Sequence, residues 1–257
     1  MNTFDIDLAT IADNGGTIPE ELTALQERSA RYFDFPHHFT ERFAQAVADD
    51  APEDQILNLR ALALIEQTAN PVDHAAVTTA MQQEANRRIR ALYETVATSN
   101  WNTLADRFNA AAEAFTKAHN TVPVTTEPGT LINAPERSRK AWAEGQTQRA
   151  TLDGLIEPLL AAARLAGHAA SGKTWAIGAT ITATGIHRRR IWEAWDHENR
   201  WADLIELGAT IHAPKLDELA PYREPAPIET RMERSGIGWT PVQYDPEDAA
   251  DLETVDA

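Results

Sequence analysis

The stretch from Asn70 to Ser99 constrains this chain more than any other. Asn70 is a capping residue, Pro71 lacks the N–H that a first helical position leaves unused, and Asp73 suits the positive helix end. Behind that start, Val77, Met81, Ala85, Ile89, Leu92 and Val96 recur at steps of three or four. The spacing draws one apolar stripe along a helix of about seven or eight turns. Gln82, Gln83, Asn86, Arg87, Arg90 and Glu94 fill its other faces. Such a helix needs partners, and its sequence neighbours supply them.

On its N-terminal side, Ile56, Leu57, Leu59, Leu62, Leu64 and Ile65 lie almost all round a helical projection. That pattern predicts a buried central helix over 53–69, turning at Pro71. On the C-terminal side, after Ser99-Asn100, Trp101, Leu104, Phe108, Ala112, Phe115 and His119 share one face. Three helices with tight joints predict a mainly α fold, a multi-helix antiparallel bundle.

Upstream, Phe4, Ile6 and Leu8 alternate with Asp5 and Asp7, a strand-like pattern closed by the turn signal Asp13-Asn14-Gly15-Gly16. Pro19 opens a helix carrying Leu22, Leu25 and Ser29, and Phe39, Phe43 and Val47 mark another before Pro52. Downstream, 121–134 reads as a loop with Pro123, Pro128 and Gly129. Pro135 then opens a helix bearing Trp142, Leu152, Ile156 and Leu159, which Pro158 should kink or restart.

From Gly167 to Ile186 small residues dominate. Trp175, Ile177, Ala179, Ile181 and Ala183 alternate with Thr180, Thr182 and Thr184, which favours a strand, although the small residues would equally allow tight helix packing. The run Ile177-Gly-Ala-Thr-Ile-Thr-Ala183 echoes Leu207-Gly-Ala-Thr-Ile-His-Ala213. The echo marks either two strands that pair or a coincidence, and its shortness favours coincidence. Between them, 187–207 reads as one helix with Ile191, Trp195, Ala202 and Ile205 facing inward and Gly208 as its stop.

Beyond Ala213 the chain changes character. Six of its 14 prolines fall there, and no Lys or Arg follows Arg234. We therefore divide the chain into an N-terminal segment (1–19), a helical bundle domain (20–213) and an extended Pro-rich arm (214–257) ending in an acidic disordered tail from Asp245. The arm retains Ile228, Met232, Ile237, Trp239, Val242 and Tyr244, which a purely solvated linker would not need. Trp239, Tyr244 and Ile237 are therefore the candidate interaction residues, with Trp239 expected to be buried in the assembled state.

Composition excludes several chemistries. The formal charge of −16 disfavours a nucleic-acid surface, and the absence of Cys removes disulfides, thiolate metal sites and cysteine nucleophiles. The eight histidines show no His-x-x-x-His spacing, and Ser occurs five times without a nucleophile-elbow pattern. No apolar run reaches the ~20 residues of a membrane span, and Met1–Thr10 lacks the basic start of a signal peptide. The expected location is the cytoplasm or a virion.

Two motifs remain. Gly167-His-Ala-Ala-Ser-Gly172-Lys173-Thr174 matches the phosphate-cradling loop, in which Lys173 would reach terminal phosphates and Thr174 would hold Mg²⁺. That pattern belongs between a strand and a helix, whereas here it follows the helix-like Leu159–Arg164. His187-Arg188-Arg189-Arg190 with Trp192, Trp195, Arg200 and Trp201 concentrates base and aromatic. Three arginines at a helix start oppose its dipole, so carboxylate partners nearby are expected rather than a nucleic-acid contact.

These features point to a non-catalytic assembly protein, a helical adaptor or connector-like component of a larger particle of the tailed-virus kind. It would bind protein neighbours, as a homo-oligomer or larger assembly, through its bundle and arm, and it calls for no cofactor or metal. The alternative is a nucleotide-binding enzyme using residues 167–174.

Overall fold

The computed structural model describes residues 3–33, 39–68, 71–235 and 238–248. In chain order the elements are α1 (Thr3–Asp13), α2 (Glu20–Phe33), α3 (Phe39–Ala48), α4 (Glu53–Thr68), α5 (Pro71–Thr121), α6 (Glu136–Leu165) and α7 (Gly172–Thr180). They continue with β1 (Ile181–Thr182), α8 (Arg188–Ala194), α9 (Arg200–Glu206), β2 (Thr210–Ile211), β3 (Glu229–Ser235) and β4 (Gly238–Tyr244). The protein is mainly α, as its periodicities predict, with two small antiparallel sheets. No helix among the described residues is long and apolar enough to cross a membrane.

The chain forms two compact units, one of residues 1–17 with 97–257 and the other of residues 18–96. Their boundaries differ from the divisions at 19 and 213 read from the sequence. In the 18–96 unit α3 packs along α4, and Glu66 of α4 accepts from the Thr40 backbone N–H (3.1 Å) at the start of α3. A carboxylate there meets the positive end of the helix. Leu22, Leu59, Ala63, Ile89 and Tyr93 are buried. Leu57, Leu64 and Ile65 are more than half exposed, so α4 is not the central core helix its apolar perimeter predicted. All-round apolarity describes a helix's composition, and the number of packed neighbours decides which sides are covered.

The joint expected at Ser99-Asn100 does not exist: α5 runs unbroken from Pro71 to Thr121. Asn in a helix interior costs only a few tenths of a kcal/mol relative to better helix formers. Here its side chain has other work. Asn100 Oδ1 accepts from the Thr17 N–H (2.7 Å) and its Nδ2 donates to the Thr17 carbonyl (2.9 Å).

In the other unit, Trp101, Leu104, Phe108, Ala112, Phe115 and His119 all turn inward, matching the stripe read from the sequence. Residues 3–13 are α1, not the strand suggested by alternation. Phe4 and Leu8 fit both periods, and Ile11 decides for the helical one, because Asp7, Leu8 and Ile11 share the buried face. α1 packs on α6, where Arg164 donates to both oxygens of buried Asp7, from Nε (2.9 Å) and Nη2 (2.6 Å).

α6 continues through Pro158 instead of restarting, and its second half is the buried one, from Leu152 to Ala163. Residues 122–135 form a loop, one residue later at each end than the expected 121–134, with one 3-10 turn at Pro128–Leu131. Val124 seats in a notch that Gly145 leaves open, since a Cβ at Gly145 would lie 2.4 Å from Val124 Cγ1.

The segment 187–207 is two helices, α8 and α9, rather than one. Trp195 and Trp201 meet edge-to-face (ring centroids 5.5 Å apart), and Trp201 meets Phe108 the same way at 5.9 Å. Trp201 Nε1 donates to Asp153 Oδ1 (2.9 Å), so the ring is buried without leaving its N–H unpaired. Gly208 does stop α9. With φ +90° it sets the Gly208 N–H on Ile205 O and the Ala209 N–H on Leu204 O, both 2.9 Å.

The echo is more than coincidence. β1 and β2 are antiparallel partners with Ile181 opposite Ile211 and Thr182 opposite Thr210, and the His212 N–H donates to Thr180 O (2.8 Å). Ile181 and Ile211 hold the same place in the two copies, so the pairing runs symmetrically about them. Residues 175–180, which the alternation favoured as strand, lie in α7; of the alternating stretch only Ile181–Thr182 is a strand.

Candidate functional site

The arm enters along the fold rather than apart from it. Trp101 Nε1 donates to Pro214 O (2.9 Å), and Asn109 exchanges two hydrogen bonds with the Ala213 backbone. Further on, the Tyr222 N–H donates to Thr174 O (2.9 Å). A Cβ at Gly178 would lie 2.0 Å from Ala220 O, so only glycine lets the chain pass this close to α7. Tyr222 OH donates to Arg188 O (3.3 Å), and burial pushes its phenol up to about 12.

Past Ile228 the arm folds into a hairpin. β3 and β4 pair over their whole lengths, from Glu229 opposite Tyr244 to Ser235 opposite Gly238. The sequence predicted an extended segment there because prolines bar a central sheet strand. A two-stranded hairpin evades that bar, since both strands are edges and Pro241 needs no ladder bond on its outer side. Side chains alternate, so Thr230, Met232 and Arg234 share a face with Gln243, Pro241 and Trp239. Ile228, Met232 and Trp239 are half exposed or more, Trp239 reaching 66%. On the opposite face the Arg231 guanidinium lies 3.4 Å from the Tyr244 ring centroid, a cation–π contact. Of the three candidate interaction residues, Trp239 is exposed, Tyr244 is half-buried, and Ile237 lies outside the described residues. Residues 251–257, expected to stay mobile, also lie outside them. The disordered tail expected from Asp245 does not begin there: residues 246–248 form a helical turn, Arg189 holds Asp245 and Glu247 is buried.

The base of the hairpin is clasped by the arginines at the start of α8. Arg189 donates from Nε and Nη2 to the two oxygens of Asp245, and from Nη2 to Ala226 O. Arg188 pairs with Glu247, which accepts from the Ala226 N–H (2.9 Å). His187 Nε2 lies 3.0 Å from Asp248 Oδ1. The Arg189 guanidinium draws the Asp245 carboxyl down from 3.8 to about 2. The Ala226 N–H, seconded by Arg188, lowers that of Glu247. The carboxylates that the triple arginine demanded therefore come from the chain after the hairpin.

His187, Asp245 and Asp248 place three potential ligand atoms within 4.8 Å of one another. Both Asp245 oxygens already receive Arg189, so a cation there would face a guanidinium, and the grouping serves as an anchor. The aromatic partners of the basic segment are likewise committed. Trp195 and Trp201 are buried, and Arg200 lies over Trp195 (5.1 Å), which removes them as base-stacking platforms.

In the 167–174 pattern, Gly167 ends a helix. With φ +97° it sets its own N–H on Arg164 O and the His168 N–H on Ala163 O, both 3.0 Å, closing α6. Gly172 and Thr174 open α7, so the loop lies between two helices where a phosphate loop needs a strand before it. Lys173 Nζ donates to Asp196 Oδ2 (2.6 Å) and sits 4.0 Å from the Trp192 ring centroid. Its charge is thus spent on its own fold.

An open groove of about 840 Å³ runs beside α5 and β2, where Glu113, Lys117 and Arg137 give it mixed charge and His212 lies in its wall. Asn109 in its wall is taken up by the Ala213 backbone. Comparison of the chain with protein-family models, curated proteins and solved structures finds no match.

Proposed function

We propose that this protein is a non-catalytic assembly component, a helical adaptor or connector-like part of a larger particle, and that its hairpin arm is the docking element. One observation carries the reading: the hairpin is clamped at its base by Arg188 and Arg189 while Ile228, Met232 and Trp239 stay exposed. Anchoring a strand pair rigidly and leaving its large apolar side chains in water costs free energy in a lone chain. Burial against a neighbour returns roughly 25 cal/mol per Å² of apolar surface. The likeness in layout to connectors of tailed-virus particles is analogy, and the docking role does not depend on it.

The test is excision of residues 228–244 with a short Gly-Ser link, since Arg189 brings Ala226 and Asp245 together. Circular dichroism should show the helices intact, while light scattering should show the assembled mass falling to that of a single chain. An unchanged mass overturns the proposal.

A further inference from the structure

Among the described residues β3 has β4 as its one strand neighbour, and residues 229–234 are all exposed. Its far edge is therefore a row of backbone donors and acceptors open to another strand. β4 is the poorer edge, because Pro241 has no N–H to offer. β3 contains no proline.

The charges of β3 say which strand fits. Laid antiparallel against a second copy about a two-fold axis at Met232, each Arg231 falls opposite the other copy's Glu233. Each Arg234 falls opposite a Thr230, and Met232 meets its own counterpart. Side-chain alternation allows a two-fold shift only in whole residues. A centre on Arg231 sets arginine against arginine and Glu229 against Glu233. A centre on Glu233 sets glutamate against glutamate. A centre on Thr230, which also sets Glu229 against Arg231, uses only three residues of the strand, whereas Met232 is its midpoint and pairs all 7. Like charges directly opposite are destabilising, and opposite charges stabilise such pairs. The Met232 register also brings both copies' Met232 and Pro241 together at the centre of one face of a four-stranded sheet, with Trp239, Thr230, Arg234 and Gln243 around them. We infer that the occupant of this edge is a second copy of this chain, paired β3 to β3 about Met232.

The inference rests on the docking role proposed for the arm, and names its partner. The chain has no Cys, so Met232→Cys installs one thiol per copy. Antiparallel partners have Cα atoms about 4.5–5.5 Å apart, within the disulfide range, so mild oxidation should link nearly all chains into dimers. Thr230→Cys should not link, because its counterpart lies four residues on, about 13 Å away. Arg231→Glu and Glu233→Arg should each weaken the dimer on the order of tenfold by sedimentation. Mixing the two variants should restore it, as both ion pairs re-form in a mixed dimer. Circular dichroism on each variant checks that the helices persist.

A wild-type chain that stays monomeric at its solubility limit, or a dimer that survives excision of 228–244, overturns both the inference and the docking reading. A dimer lost on excision, but neither cross-linked at 232 nor recovered by mixing, leaves the docking role standing and overturns the β3 pairing.

Discussion

Arg189 grips Asp245 across 56 residues of chain, two parallel N–H bonds to one carboxylate, and the same guanidinium holds Ala226 on the other side of the hairpin. A planar fork makes that triple hold; an ammonium would not. Arg189→Lys should therefore behave nearly as badly as Arg189→Ala. Either should speed tryptic cleavage at Arg231 and Arg234 while the helical signal is unchanged. Equal cleavage of wild type and variants would mean the clasp does not hold the hairpin.

The clasp also has a defined acid limit. The carboxyl of Asp245 is lowered from 3.8 to about 2, so it contributes stability that is present above 3.8 and lost as pH falls through 2. Glu247 shifts in the same direction. The amide resonances of Ala226 and Glu247 should hold their positions down to about pH 4 and move between about 4 and 2. Resonances that move only outside that window would show that these carboxylates do not set the anchor.

Gly178 and Gly154 form a matched pair of tests. At Gly178 a new Cβ would strike Ala220 O and crowd the Tyr222 N–H, both backbone atoms that cannot step aside. Gly178→Ala should lower stability by about 1–3 kcal/mol and break the Tyr222–Thr174 bond. At Gly154, exposed on α6, a Cβ would meet nothing within 4 Å. Gly154→Ala should raise stability by about 0.5–1 kcal/mol. Chemical denaturation reads both, and a common sign would refute the close approach of the arm.

Asp7 is buried with Arg164 as its counter-charge, and this pairing raises the guanidinium's proton affinity further. Arg164→Met should cost roughly 3–5 kcal/mol by stranding the carboxylate, and the double change Asp7→Leu with Arg164→Met should recover most of it. A double variant as unstable as the single would show that packing, rather than charge, binds α1 to α6.

Lys173 gives the phosphate-loop alternative its own trial. Calorimetry of the full chain with Mg²⁺-ATP should show no heat of binding, and Lys173→Ala should behave alike. Binding that Lys173→Ala abolishes would make residues 167–174 a nucleotide site after all.

What the sequence made legible follows from how local each cause is. The stripe from Trp101 to His119 could be read because 3.6-residue periodicity needs only the segment itself. Gly208 could be read as a stop for the same reason. Asn100 could not, because the group that claims its side chain, the Thr17 backbone, is 83 residues away. The arginines at 188–190 announced a need for carboxylates, since their position at a helix start is local. Which carboxylates answered was a tertiary fact, and no His or Asp spacing marked Asp245, Glu247 and Asp248. The hairpin escaped notice because Pro241 argues against sheets in general, whereas an edge strand is the one place that admits it.

The pairing of Asp7 with Arg164 also sets a timetable for biosynthesis. The two residues are 157 positions apart, so at about 5–20 residues per second Asp7 is added to the growing chain roughly 8 to 30 s before its counter-ion exists. All of residues 18–96 are synthesised within that interval. For those seconds Leu8 and Ile11 have no α6 to lie against, and a nascent chain stalled before Arg164 would present an α1 that cannot dock.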